Sequence, residues 1–230
     1  MEWKLRPARD LGLAAGDRWR SLKRERGLVG MAVHGAWRAL LRLYFRLAHR
    51  LVVQGRENLP PPPFVLVANH SSHLDALVLA AMLRGEAARS AHALAAGEVF
   101  FGSRAGAAFA AYAINAFPIW RGRTKRGDLA TLRERLVEDR LVYILFPEGT
   151  RSRDGQMGPF QAGLSSIVSG TGVPVVPCWI EGAHAAWPPQ RRWPRPGRLS
   201  VRIGPALPSE DRAALTEACR AAVQRLSGAG

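Results

Sequence analysis

From Met31 to Val53 apolar and basic positions alternate with the period of a helix. His34, Arg38, Arg42, Arg46 and Arg50 recur every four residues, and Val33, Trp37, Leu40, Leu41, Leu43, Tyr44, Phe45, Leu47 and Leu51 fill the intervals. The spacing predicts an amphipathic helix with an aromatic-rich apolar face and a slowly drifting basic stripe opposite it. Beyond it the pattern changes to short apolar runs separated by segments of helical length. Leu51–Gln54 reads as a short strand, and Phe64–Ala68, led in by four prolines, as a buried one. Further strands are expected at Ala91–Ala96, Phe117–Trp120, Leu141–Phe146, Val173–Ile180 and Leu199–Ile203, with the prolines of the Val173–Ile180 run at an edge or terminus. Helices are expected at Leu74–Leu83, Ala105–Ala113, Lys125–Asp139 and Gln161–Ser169, and at Ser209–Leu226 with Ser209 as N-cap. Strands alternating with helices predict an α/β fold: a single mixed, mainly parallel sheet flanked by helices, with an N-terminal amphipathic helix. Residues 1–54 form a basic N-terminal region on this reading, and residues 55–230 the main domain.

Composition narrows the picture. A chain of 230 residues that is 47% hydrophobic supports one sizeable core. Two cysteines, Cys178 and Cys219, are too few for a disulfide framework and suit a reducing compartment. The formal charge is +15, and the basic residues are arginines apart from Lys4, Lys23 and Lys125. Such a balance calls for a polyanionic partner: nucleic acid, an anionic membrane face, or acidic substrates and carriers. No apolar core with a small-residue cleavage site follows the basic start, so no signal peptide is expected. The arginines of the Met31–Val53 helix argue against a membrane span. They leave two readings, an ordinary surface helix or a helix lying at a bilayer surface, and the aromatics beside the arginines favour the second.

The candidate chemistry sits at strand ends. Asn69-His70-Ser71-Ser72-His73-Leu74-Asp75 joins the strand ending at Ala68 to the helix after it. With His70 in the turn and Asp75 in the first helical turn, the chain folds back to pair them. A carboxylate on one imidazole nitrogen fixes the tautomer and frees the other nitrogen as a base. Two plainer readings stand beside this one. Asn, Ser and Asp are ordinary residues at a helix start. A His-rich turn with a following Asp also suits a metal, although no third or fourth ligand comes at a usable spacing, and His73 has no assigned partner. Two further strand ends carry Arg121 with Arg123, and Glu148-Gly149-Thr150-Arg151. If the three strands share one sheet, one site receives a base, cations suited to gripping a phosphate, and an acid in a glycine turn.

These motifs resemble the glycerolipid acyltransferase family typified by 1-acylglycerol-3-phosphate acyltransferase. Asn69, His70 and Asp75 match its Asn-His-x-x-x-x-Asp block, and Phe146 through Ser152 match its Phe-Pro-Glu-Gly-Thr-Arg-Ser block without a gap. Phe117–Arg121 and Val173–Pro177 fit its other two blocks, so the resemblance covers residues 51 to 182. Trp120 stands where an acidic residue is frequent and Gln161 where a lysine is frequent. The resemblance implies acyl transfer from an acyl thioester, on coenzyme A or on acyl carrier protein, to a lyso-lipid hydroxyl. It implies His70 as base, Asp75 as its partner, and Arg121, Glu148, Gly149, Thr150 and Arg151 at the acceptor's glycerol phosphate, with no metal and no cofactor. It also gives the basic helix a purpose, peripheral attachment to the cytoplasmic face of an anionic membrane. Two alternatives stand beside this: a different lyso-lipid acceptor for the same chemistry, which the departures at Trp120 and Gln161 leave open, and a nucleic-acid-binding protein, which charge alone motivates and no recognisable nucleic-acid motif supports.

Overall fold

The computed structural model describes residues 7–25, 27–120 and 126–228. Their elements run α1 (Ala15–Arg18), α2 (Leu28–His49), β1 (Val52–Gln54), a 3₁₀ turn (Arg56–Asn58), β2 (Phe64–Ala68), α3 (Asp75–Met82), α4 (Gly85–Ser90), β3 (Ala91–Ala96), α5 (Gly97–Phe100), α6 (Arg104–Ala113), β4 (Phe117–Ile119), α7 (Arg126–Glu138), β5 (Val142–Leu145), α8 (Gly163–Val168), β6 (Val175–Glu181), α9 (Ala183–Ala186), β7 (Ser200–Ile203) and α10 (Arg212–Leu226). The strands form one seven-stranded sheet in the order β1-β7-β6-β2-β5-β3-β4. Every pairing is parallel except β6 with β7. This is the mixed, mainly parallel sheet flanked by helices that the alternating pattern predicts.

β2 lies at the centre of that sheet, and all five of its residues are buried. Phe64, Leu66 and Ala68 pack into the core that includes Leu41 and Phe45 of α2 and Val78 and Leu79 of α3. Val65 and Val67 pack into the opposite core with Leu132 of α7, Ile167 of α8 and Val223 of α10. A strand covered on both faces has no polar positions to spare, which is why its sequence is apolar without alternation.

Three local expectations are corrected. β6 is an internal strand, flanked by β2 and β7, although Pro177 lies within it. The donors of Val175 and Ile180 point to opposite sides, to Leu207 O and to Asn69 Oδ1, so the missing donor of Pro177 falls on the β7 side. The β6–β7 ladder begins only at Cys178 with Ile203, and Pro177 O is met there by Gly204 N at 2.8 Å. The proline thus occupies the point where β7 leaves, and the sheet loses no bond. α10 starts at Arg212, and its cap is Asp211, whose Oδ1 accepts from Ala213 N and Ala214 N at 2.9 and 3.1 Å. Ser209, the expected cap, is buried two residues upstream.

The third correction concerns α2. Its basic stripe reaches the outer face only toward the C-terminal end, where Arg46 and Arg50 are exposed. His34 is buried, with Nδ1 3.0 Å from Tyr112 O. Arg42 donates from Nε to Ala81 O and from Nη2 to Leu83 O, at 3.0 and 2.6 Å, and Arg56 Nη1 donates to Met82 O at 2.5 Å. Two guanidinium groups therefore complete the carbonyl end of α3, where orphan acceptors and the helix dipole both favour cations. Meanwhile Val29, Val33, Leu40, Leu43 and Leu47 are 46–78% exposed. The cause is the drift: a four-residue step overshoots one turn by about 40°. A stripe that starts inward at His34 has swung outward by Arg50.

Trp120, the first departure from the family pattern, is accommodated by Gly97. A Cβ on Gly97 would lie 2.5–2.8 Å from three atoms of the Trp120 indole. Gly97→Ala is expected to displace that ring and lower stability by about 1 to 3 kcal/mol, the usual cost of overpacking. Thermal unfolding followed by tryptophan fluorescence checks this, and an unshifted midpoint would contradict the packing.

Candidate active site

β2 and β5 are adjacent and parallel, so the turns after both strands open at the same edge of the sheet. The turn after β2 carries His70, and α3 begins at Asp75. His70 Nδ1 lies 2.8 Å from Asp75 Oδ2. The same oxygen accepts from Ser71 N and Ser72 N at 2.7 and 2.8 Å. Two backbone donors can face that oxygen only as acceptor. Nδ1 must then carry the hydrogen, and Nε2 is left as the lone-pair nitrogen. Asp75 is fully buried, whereas the imidazole of His70 is 21% exposed. Phe146, just past β5, stacks on that ring at 4.1 Å between centroids and 17° between planes. The ring is thus held from its edge and from one face, with Nε2 unpaired among the described residues.

The turn after β5 braces the same histidine. Glu148 Oε1 accepts from His70 N at 2.7 Å, Glu148 Oε2 accepts from Gly158 N at 2.9 Å, and Ser152 N donates to His70 O at 2.8 Å. Glu148 is 8% exposed, and burial pushes its carboxyl above the usual carboxylate range, against the pull of its two amide donors. Gly149 has φ +72, the left-handed conformation that a glycine adopts without strain, and its N–H closes the turn on Phe146 O at 3.1 Å. Thr150, next along, is exposed.

Of the expected site residues, then, His70, Asp75, Glu148 and Gly149 come together around one turn. Both oxygens of Glu148 are taken by backbone amides, which makes it a brace for the His70 turn. Arg151 lies beside them but leans on His73, which the sequence left without a partner: Arg151 Nη1 contacts Nδ1 of that imidazole and is 3.1 Å from Nε2. Burial lowers the pKa of the Arg151 guanidinium. Arg121 and Arg123 lie outside the described residues. The strand that leads to them, β4, is the far edge of the sheet, parallel to β3 and separated from β2 by β5 and β3. Among the described residues no group of three His, Cys, Asp or Glu side chains converges to hold a metal ion.

The sequence missed the segment after α9. Trp187 O accepts from His73 N at 3.2 Å and from Ser72 Oγ at 2.8 Å, and the Trp187 ring lies 4.9 Å from the His73 ring. Gln190 Nε2 donates to Arg153 O at 3.0 Å, beside the Glu148–Arg151 turn. The Pro- and Arg-rich stretch 187–198 therefore packs against both turns of the site. Its only advance signal was a tryptophan at the head of an otherwise polar loop.

Comparison with known proteins identifies the family to which this sequence and fold belong. Residues 50–181 match the family model described as Acyltransferase. The chain is 30% identical over 177 residues to 1-acyl-sn-glycerol-3-phosphate acyltransferase alpha of Ovis aries, aligning 74% of this chain with 58% of that protein. It is 32% identical over 184 residues to a 1-acyl-sn-glycerol-3-phosphate acyltransferase of Chlamydomonas reinhardtii, with 76% and 52% aligned. The chain thus spans somewhat more than half the length of these curated relatives. Among solved structures it is similar to the 1-acyl-sn-glycerophosphate acyltransferase PlsC of Thermotoga maritima, with TM-score 0.69 and 26% identity over 89% of this chain and 83% of that one. With the family model covering more than half of its residues, the chain belongs to the acyltransferase family.

Proposed function

We propose that this protein moves a fatty acyl group from an acyl thioester to the free hydroxyl of a lysophospholipid, 1-acylglycerol-3-phosphate, giving phosphatidate. The observation that carries the reading is the buried Asp75 carboxylate 2.8 Å from Nδ1 of a partly exposed His70. In this mechanism Nε2 takes the proton of the acceptor hydroxyl as its oxygen attacks the thioester carbon. Asp75 stabilises the imidazolium that forms. The tetrahedral intermediate then expels the thiolate, which leaves with the proton held on Nε2. The attacking alcohol belongs to the substrate, so no serine or cysteine of the protein is acylated, and no cofactor enters the balance. Glu148 positions His70 through its backbone N–H, and Gly149 and Thr150 shape the turn past which the glycerol phosphate binds. Arg151 meets the phosphate, together with Arg121, and its lack of a carboxylate ion pair among the described residues supports that role. Thiol release from acyl-CoA and from acyl carrier protein, with several lyso-lipids and product mass as readout, tests the reading. Release that never depends on a lyso-lipid would overturn it.

The acceptor is dissolved in a bilayer, and the reading includes attachment to an anionic membrane through α2, with residues 1–54 as the attaching region and 55–230 as the acyltransferase domain. On this reading the protein sits peripherally on the cytoplasmic face, where it meets its thioester donor. No helix among the described residues is long and apolar enough to cross a membrane. The surface that supports attachment is the outward row Val29, Val33, Leu40, Leu43 and Leu47, spaced by three, four and seven residues along one face. Arg46 and Arg50 are exposed near its C-terminal end, where each contributes about 1 kcal/mol at an anionic surface. Because Leu41 and Phe45 of the same helix are buried in the core, deleting α2 would expose that core, and point substitutions are the cleaner probe. Replacing Leu40, Leu43 and Leu47 together by glutamine is expected to weaken binding to phosphatidylglycerol vesicles about 10²-fold. The estimate takes about 1 kcal/mol for each half-exposed leucine that the bilayer covers. Vesicle cosedimentation checks it, and unchanged binding would move the contact elsewhere.

A further inference from the structure

The loop between β6 and β7 carries a charge pattern that acyl transfer does not use. Arg192, Arg195 and Arg198 are exposed, and Trp193 is 68% exposed. The carboxylates near this loop are engaged elsewhere. Glu181 Oε2 accepts from Arg202 Nη2 at 2.5 Å and from Ser200 Oγ at 3.2 Å, and Asp154 Oδ1 accepts from Ser152 Oγ and Gln156 N. The loop backbone is nonetheless fixed. Trp187 Nε1 donates to Arg191 O and Arg195 N to Ala186 O, both at 2.9 Å. Gly197 N donates to Ala48 O at 3.2 Å and Leu199 N to His49 O at 3.0 Å. Pro188, Pro189, Pro194 and Pro196 stiffen it further. Arg192 Cζ lies 5.5 Å from the centroid of the Trp193 ring, within cation–π range. A tryptophan so exposed buries little apolar area and adds little to the fold.

The loop also has a definite place. β6 is parallel to β2, so Glu181 at its end lies at the edge where the His70 turn opens. β7 and β1 both begin at that edge, with Ser200 beside Val52. The C-terminal end of α2 therefore reaches the same edge, carrying exposed Arg46, Leu47 and Arg50. The Gly197–Ala48 bond joins the loop directly to that helix end. Tryptophan rings settle at the headgroup level of a bilayer, and arginines near an anionic leaflet are drawn to it.

We propose that the 187–198 loop is a second membrane contact: Trp193 enters the headgroup layer, Arg192, Arg195 and Arg198 meet anionic phospholipid headgroups, and the catalytic edge faces the bilayer. The inference rests on the reading that α2 attaches the protein to an anionic membrane. One amphipathic helix leaves a protein free to roll about the helix axis. A contact off that axis fixes which edge meets the lipid. Continuity with Leu43 and Leu47 of α2 favours a leaflet over an acidic carrier protein, because one surface then covers the leucines, the indole and the arginines together.

The test is cosedimentation with phosphatidylglycerol and phosphatidylcholine vesicles. Replacing Arg192, Arg195 and Arg198 together by glutamine is expected to weaken binding to phosphatidylglycerol about 10²-fold. Binding to uncharged phosphatidylcholine should scarcely change. Trp193→Ser is expected to weaken binding to both about tenfold. If the Leu40, Leu43 and Leu47 glutamine variant binds weakly and neither loop variant does, the loop contact is wrong while the α2 reading stands. If no variant weakens binding, both are wrong. A second measurement uses a short-chain 1-acylglycerol-3-phosphate that stays monomeric, with acyl-CoA or acyl carrier protein as donor. Both loop variants are expected to keep normal turnover there. A raised donor KM with vesicle binding intact would assign the arginines to the donor and overturn the proposal. Brominated lipid supplies a readout that does not depend on weakened binding. It is expected to quench an emission component that Trp193→Phe lacks, and equal quenching in the two proteins would place Trp193 outside the bilayer and overturn the proposal.

Discussion

Replacing His70 with alanine is expected to reduce lyso-lipid-dependent thiol release by about 10² to 10⁴-fold, the usual contribution of a positioned proton acceptor. The fold should survive. The two backbone contacts of this residue, Glu148 Oε1 on its N–H and Ser152 N on its C=O, do not need the imidazole. Asp75 Oδ2 would keep the amides of Ser71 and Ser72 after losing the ring. The loss of one hydrogen bond and of the Phe146 stack amounts to about 1 to 2 kcal/mol. For a chain of this size that lowers Tm by about 2 to 8 °C. Circular dichroism run beside the assay separates the two effects. A folded His70→Ala protein that turns over at near the normal rate would end the general-base mechanism. Chelator is expected to leave the normal protein's turnover unchanged, and a loss there would bring back the metal reading of the same turn.

Features encoded locally were legible in the chain. β2 and β5 appear as unbroken apolar runs because strands buried on both faces have no other composition. The pairing of His70 with Asp75 is a five-residue event, and the strand-turn-helix sequence around it prescribes it. Features that depend on distant partners were not legible. The pattern of α2 gives its stripes but not which of them the domain covers. That is decided by α3, whose terminal carbonyls draw Arg42 inward, and by Tyr112 of α6, which takes His34. Pro177 looked like an edge residue because its fit depends on where β7 leaves the sheet. The cap of α10 moved from Ser209 to Asp211 because two suitable residues stood two apart and only geometry chooses between them. The partners of His73, Arg151 and Pro189, lie 78 and 116 residues away, where no local spacing points to them.

Changing Asp75 to asparagine is expected to remove most activity by a route that the surrounding amides dictate. Asp75 is the first residue of α3, is fully buried, and concentrates three donors on one oxygen: Ser71 N, Ser72 N and His70 Nδ1. An asparagine must turn its carbonyl toward those donors, because its NH₂ group there would face two fixed N–H groups. The imidazole then keeps its orientation and its tautomer, and what is lost is the negative charge. Hydrogen bonds to a charged group contribute about 1.5 to 3 kcal/mol against about 0.5 to 1.5 for neutral ones. The stabilisation of the imidazolium in the transition state falls by a similar or larger amount. Turnover is therefore expected to drop about 10²-fold with the acceptor KM little changed, because the lost interaction is strongest when the proton has moved. Asp75→Ala differs in kind. It leaves two buried backbone amides without an acceptor, at about 1 to 3 kcal/mol each, and is expected to lower Tm well beyond the asparagine variant. The two substitutions together separate charge from scaffold. If asparagine and alanine reduce turnover equally while both remain folded, the charge accounts for the whole contribution of Asp75 and the hydrogen-bond anchor adds nothing to turnover. If asparagine leaves turnover unchanged, Asp75 has no electrostatic part in the reaction, and the mechanism built on the His70–Asp75 pair fails with it.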